Sequence, residues 1–299
     1  MNASLLAGIG AATLASVLGA GWQLAVRHGV TTTLGPLDVA LLRYVVPAIV
    51  LLPVWWRAGL RPGGASAAML VALVLSGGLP FGLLVLAGAQ WAPAAHIAVF
   101  VSGTIPLFAA LLAWLAWGER IDTVRGAGFA LIVAGAAMLA ARAGSGDAGA
   151  WRGDVLFLLA ALCWAIHTHV FRRSGLGPWQ GAAIANGGSA LLLLAIVPFF
   201  AGSLRLSTAP WQDIVFQAVW QACFAGLLGL VAYMAAVRRL GSARAALSAA
   251  AVPPMTALGE VVFLQVPARP VVMAAVALVA AGVVLASGAI AWRRRTAAA

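Results

Sequence analysis

Charge is what this chain has least of. Only 8% of its 299 residues are charged, seven of them acidic, while 64% are hydrophobic. So little polar surface cannot cover a water-soluble globule. The connections between the apolar runs are short, and none could build a soluble domain. Chemistry motifs are missing too. There is no glycine-lysine phosphate loop, which excludes ATP hydrolysis by this chain. No HExxH run, nucleophile motif or pair of intramembrane carboxylates marks an enzyme, and no cofactor is implied. The two cysteines, Cys163 and Cys223, fall inside apolar runs and count as small apolar residues. The first run has no basic start and exceeds the length of a signal-peptide core, so a spanning helix is expected there and not a cleavable leader.

What is present is apolar length. A bilayer needs about 20 helical residues at roughly 1.5 Å each. Ten runs meet that need: 4–26, 36–56, 67–89, 94–117, 123–141, 152–171, 179–201, 212–236, 243–264 and 268–292. The termini and even-numbered loops carry Arg57, Arg61, Arg120, Arg125, Arg172, Arg173, Arg238, Arg239, Arg244 and Arg293 to Arg295. The opposite loops carry Arg27, Arg142, Arg152, Arg205 and Arg269, with Asp147, Asp154 and Asp213 on that side as well. The positive-inside bias therefore predicts both termini in the cytoplasm. The net charge of +11 is a topology signal and not the footprint of a nucleic-acid binder.

The chain also repeats itself. Pro106 and Gly135 recur, without a gap, as Pro253 and Gly282, 147 residues on. Gly82-Leu83-Leu84-Val85 answers to Gly229-Leu230-Val231-Ala232. Each copy, 1–147 and 148–299, holds five spans, and an odd number turns the second copy upside down. The expected fold is an all-α integral membrane protein, ten transmembrane helices arranged as two inverted five-helix repeats around a central cavity. Inverted repeats are a hallmark of secondary transporters.

Pro80, Pro106, Pro253 and Pro254 lie inside spans, where each removes an amide donor and frees a carbonyl. Such breaks are tolerated where backbone is buried in protein or lines a cavity, so these prolines are expected to be bending points. Gly78 with Gly82, and Ala136 with Ala140, make small-residue faces for close helix contact. Intramembrane ionisable groups are functional candidates because lipid penalises charge. Glu260, near the outer end of the ninth span, could form a gating pair with Arg43, which otherwise reads as an anchor. His96 and Phe100 stack at four-residue spacing, as Trp164 and His167 do at three. His167 and His169 point in opposite directions and make no metal pair. Trp22, Gln23, Phe81, Asn186, Tyr233 and Ser248 are the aromatic and polar residues expected near the midplane. Trp56, Trp91, Trp151, Trp179, Trp211 and Trp292 lie at span ends and read as the interfacial belt.

The segment Pro106-Leu107-Phe108 through Trp117-Gly118-Glu119-Arg120, followed by the glycine-bearing run Gly126 to Met138, resembles the EamA-like branch of the drug/metabolite transporter superfamily. Leu42-Arg43-Tyr44 resembles that family's arginine near the start of the second span. The second copy departs from the pattern, with Gln265-Val266-Pro267 where a Gly-Glu pair would stand, and a local structural role is expected for Glu119. The resemblance implies an inner-membrane carrier moving small metabolites outward, often amino acids or drugs. The expected function is export of neutral amino acids, aromatic ones favoured, by alternating access, since a charge-poor cavity suits them. The alternative is efflux of lipophilic cations held by cation–π contact. A non-transporting assembly subunit is the reading from another class. The expected partners are a small-molecule substrate and the lipid bilayer, with no nucleic acid, and the chain is expected to work as a monomer.

Overall fold

The structure, a computed structural model, describes residues 3–59, 62–142, 149–241, 245 and 249–287. Ser248, Arg61, Arg244, Arg293 to Arg295, Asp147 and Trp292 lie outside these, as does the side chain of Arg142. Every regular element among the described residues is helical. Seven helices are long and apolar enough to cross a membrane, or eight when Pro36–Val50 and Leu52–Ala58, bent by 53°, are taken as one. Two shorter apolar helices, Val252–Phe263 and Pro270–Ala286, complete the set.

In chain order the helices are α1 (Ala3–Thr31), α2 (Pro36–Val50), α3 (Leu52–Ala58), α4 (Ala67–Gly77), α5 (Leu79–Trp91), α6 (Ala94–Ile97) and α7 (Ile105–Trp117). They continue as α8 (Thr123–Arg142), α9 (Ala150–Ser174), α10 (Pro178–Ile196), α11 (Trp211–Ala218), α12 (Leu230–Leu240), α13 (Val252–Phe263) and α14 (Pro270–Ala286). The wider π-helical turns Ala98–Ser102 and Val219–Gly229 extend α6 and join α11 to α12. Such turns are rare and concentrate at functional sites.

The prolines sit where a missing N–H is harmless. Pro80, Pro106 and Pro253 are each the second residue of their helix, in the first turn, where no intrahelical bond is lost. The chain breaks just before them. Gly103–Thr104 and Ala250–Ala251 are turns, and the helices that follow start at Ile105 and Val252, 147 residues apart. The third span breaks at Gly78 and restarts at Leu79. Gly118, at φ 64°, closes α7 in the left-handed conformation that glycine adopts without strain, which accounts for the glycine of the Gly-Glu pair. Glu119 is exposed and joins no ion pair among the described residues.

The main helix pairings are unchanged when the halves are exchanged. The first span packs on the eighth as the sixth packs on the third, and the first on the ninth as the sixth on the fourth. Likewise α2 meets α10, α6 meets α13, and α8 meets α14. The last pair, α8 on α14, is extensive and tightly packed. A methyl at Gly128 would sit 2.7 Å from the Gly282 carbonyl oxygen, and one at Gly135 would sit 2.8 Å from that of Ala275. Gly128 and Ala275 are 147 apart, as are Gly135 and Gly282, so each contact is the other with the halves swapped. The packing stripe on α8 runs through Gly128, Ile132, Gly135 and Leu139. Ala140, expected on that face, is exposed instead, because the stripe follows a seven-residue rhythm that carries it around the helix. Gly82 leaves room for the Tyr44 hydroxyl, which donates to the Gly78 carbonyl at 2.7 Å across the break.

The tryptophans expected at span ends are outward. Trp56, Trp91, Trp151, Trp179 and Trp211 are all exposed. Arg152 lies over the Trp91 ring at 4.7 Å, the kind of contact a guanidinium makes with an interfacial indole.

Candidate functional site

Four aromatic rings form a row through the bundle. Trp22 on α1 lies 5.9 Å from Phe81 on α5, Phe81 lies 4.7 Å from Trp164 on α9, and Trp164 lies 5.2 Å from Tyr233 on α12. Two rings come from each half. Their polar edges are tied back, so the rings cannot turn freely. The Trp22 indole N–H donates to Gln221 at 2.9 Å, Gln221 donates to Gln217 at 3.0 Å, and Gln217 donates to the Ala25 carbonyl at 2.8 Å. The Tyr233 hydroxyl meets Thr168 at 2.8 Å. Together the rings line a cavity of about 120 Å³, completed by Ser16, Gln23, Arg43, Ser102 and the starts of α7 and α13. That room suits a small solute; drug-sized pockets run to roughly 300–1,000 Å³.

Gln23 forms one wall. Its amide nitrogen donates to Ser102 at 2.8 Å, and its amide oxygen accepts from Thr256 at 2.9 Å. The three residues come from the first, fourth and ninth spans and are all buried. One helical turn further, Arg27, His96 and Glu260 line a second, more polar chamber of about 440 Å³. The Gln23 layer thus separates the aromatic cavity from a vestibule at one end of the bundle.

The vestibule is fastened by two carboxylates. Glu260 accepts from the Ala94 amide at 2.8 Å and the Ala95 amide at 3.1 Å, an anion at a helix start. His96 Nδ1 lies 2.7 Å from Asp154 Oδ1, and both side chains are buried. Arg43 and Glu260 are not brought together: Arg43 faces the aromatic cavity and Glu260 the vestibule.

Of the residues singled out from sequence, Trp22, Gln23, Phe81, Trp164 and Tyr233 line the cavity, and so does Arg43. His96 lines the vestibule, with Phe100 buried 6.0 Å behind it. Asn186 lies outside the cavity wall, because its amide donates at 2.9 Å to both the Ala182 and Gly226 carbonyls and so staples α10 to the π-helical turn. His167 stands behind Trp164, fully buried beside the Leu73 backbone, with neither ring nitrogen in hydrogen-bond geometry. His169 points away from it, toward the Ala109 carbonyl, as the spacing predicts. The sequence reading passed over Ser102, Thr256 and Gln221, polar residues inside apolar runs, and counted Asp154 only as loop charge.

The His167 ring occupies the space that a side chain at Gly77 would need. Gly77→Ala should therefore destabilise the protein by about 1–3 kcal/mol, as overpacking does. Combining it with His167→Ala should remove most of that cost. Thermal unfolding of the unaltered protein and the three variants in detergent checks the coupling, and additive costs would mean that the two positions do not touch.

An all-helical bundle with several spans, a buried chamber and repeated halves defines a multi-span membrane protein. The chain belongs to the EamA-like transporter family, whose profile matches residues 6–141 and again 151–288. It is thus a membrane transporter of small molecules, in the drug/metabolite transporter superfamily. A solved crystal structure of a protein is similar over 98% of this chain and 98% of its own, with a TM-score of 0.65 and 20% identity, a likeness of fold alone. No curated protein matches the sequence significantly.

Proposed function

We propose that the chain is a secondary carrier that exports neutral amino acids, aromatic ones favoured, across the cytoplasmic membrane by alternating access. The observation that carries this reading is the aromatic cavity, built from both halves and walled off from the vestibule by the Gln23 layer. Rings offer faces for an apolar side chain, and Ser16, Ser102 and the half-helix starts offer polar groups beside them. Ten spans in two inverted units, 1–147 and 148–299, with both termini in the cytoplasm, would place the vestibule outside. The reciprocal contacts of α8 and α14 favour inversion. Residue 128 of one half meets the counterpart of 135 in the other, an antiparallel pattern, whereas parallel helices about a two-fold axis would pair like with like. Opening to the outside then requires Gln23 to release Ser102 and Thr256, with α7 and α13 swinging on the turns before them.

Purified protein in liposomes should accelerate efflux of labelled phenylalanine over protein-free vesicles. Trp22→Ala with Trp164→Ala should abolish the acceleration. If none of the twenty amino acids moves faster than in protein-free vesicles, this function is wrong.

A further inference from the structure

We propose that Arg43 is a carboxylate subsite of the central cavity, so that the transported solute must carry a carboxylate and need not carry an ammonium group. This rests on the transport reading above. Arg43 is only 5% exposed and lines the cavity. A guanidinium has five N–H donors and no acceptor. Its Nε and Nη1 are buried without a hydrogen-bond partner. What surrounds the charge is aromatic: its carbon lies 4.6 Å from the Trp22 ring centre and 5.5 Å from that of Tyr44. Ring faces stabilise the charge and leave the Nε and Nη1 donors unmet, while the Tyr44 hydroxyl lies within hydrogen-bonding reach of the rest of the guanidinium.

No acidic residue within the described chain answers it. Asp38 is taken by the amides of Gly35, Arg205 and Leu206, Asp154 by His96, Asp213 by Thr33, and Glu260 by the amides of Ala94 and Ala95. Asp122 accepts from the Arg125 amide, and Glu119 is exposed beyond the end of α7. Among the described residues the cavity wall holds no carboxylate. A cation buried inside a membrane bundle without a counter-ion is costly, and a solute carboxylate supplies what is missing through paired N–H donors. The same wall offers no anion to an ammonium, and its positive charge repels a lipophilic cation. Aromatic faces beside the guanidinium leave room for an apolar body, which makes small aromatic and aliphatic acids the matching class.

The test uses three isosteres on the purified full chain: phenylalanine, 3-phenylpropionate (no ammonium) and phenylalaninamide (no carboxylate). By calorimetry, 3-phenylpropionate should bind within about threefold of phenylalanine, and the amide at least about tenfold more weakly. Arg43→Gln should weaken both acids about tenfold or more and erase their advantage over the amide, while Arg43→Lys keeps part of it. Amide binding as tight as the acids, no binding of either acid, or an acid preference that survives Arg43→Gln overturns the proposal. If Arg43→Gln does not fold, the three ligands on the unaltered protein decide. Acid binding without flux through liposomes would sink the transport reading alone. Equal flux of phenylalanine and its amide would sink the carboxylate subsite alone.

Discussion

Replacing His96 with alanine should cost the fold about 3–5 kcal/mol, the penalty for stranding one member of a buried pair. Asp154 Oδ1 holds the imidazole at 2.7 Å, and its Oδ2 is already buried without a partner. With the ring gone, both carboxyl oxygens are buried without a hydrogen-bond partner, which is unfavourable. Asp154→Ala should be costly for the matching reason, since the buried ring nitrogen loses its carboxylate partner. The double variant should recover most of the loss, because it leaves a void and no orphaned polar group. Chemical unfolding in detergent reads all three, and a double variant as unstable as the two losses summed would refute the pairing. The same variants should loosen the vestibule, since His96 belongs to the short helix whose first amides hold Glu260.

That pair also marks where the sequence stopped being informative. The spans were legible because lipid demands long apolar runs, and the observed α1, α4–α5, α9 and α10 fall within five residues of the expected bounds. The helix breaks were legible through Pro80, Pro106 and Pro253, for proline constrains its own backbone whatever surrounds it. Partnerships are another matter. His96 and Asp154 lie 58 residues apart, and Gln23 and Thr256 lie 233 apart. Which of them meet depends on how each helix is rotated about its axis, which hydrophobic runs with little amphipathic contrast do not specify. Arg43 looked like an anchor for that reason: its span and depth could be read, but not the Trp22 ring it lies against. Ring residues fared better, since Trp22, Phe81, Trp164 and Tyr233 are large enough to reach a central chamber from most orientations.

Gly128→Leu is expected to prevent stable packing of α8 on α14. A Cβ there would lie 2.5 Å from the Ala286 nitrogen and 2.7 Å from the Gly282 oxygen, and these are backbone atoms that yield only if the helices part. The cost should reach the upper end of the about 1–3 kcal/mol typical of overpacking, or exceed it. Gly282→Leu should do the same, because its Cβ would come 2.6 Å from the Gly128 oxygen. Gly135→Leu, against Val279 and Ala275, makes the third member of the set. Gly126→Leu is the internal control: nothing lies within 4 Å of its added carbon, and it should be silent. Yield of monodisperse protein and its melting temperature measure all four. Equal tolerance of leucine at 126 and 128 would contradict the arrangement of these two helices.

The primary amide of Gln23 has one donating end and one accepting end, and each grips a different helix. Pulling Ser102 away lets the side chain swing, which leaves the Thr256 hydroxyl without its acceptor, and the reverse holds equally. The two contacts are therefore coupled through one side chain, and the loss of either weakens the other. In the proposed carrier, a clasp of this kind makes partial unlatching unrewarding and leaves little opportunity for water or ions to slip past in between.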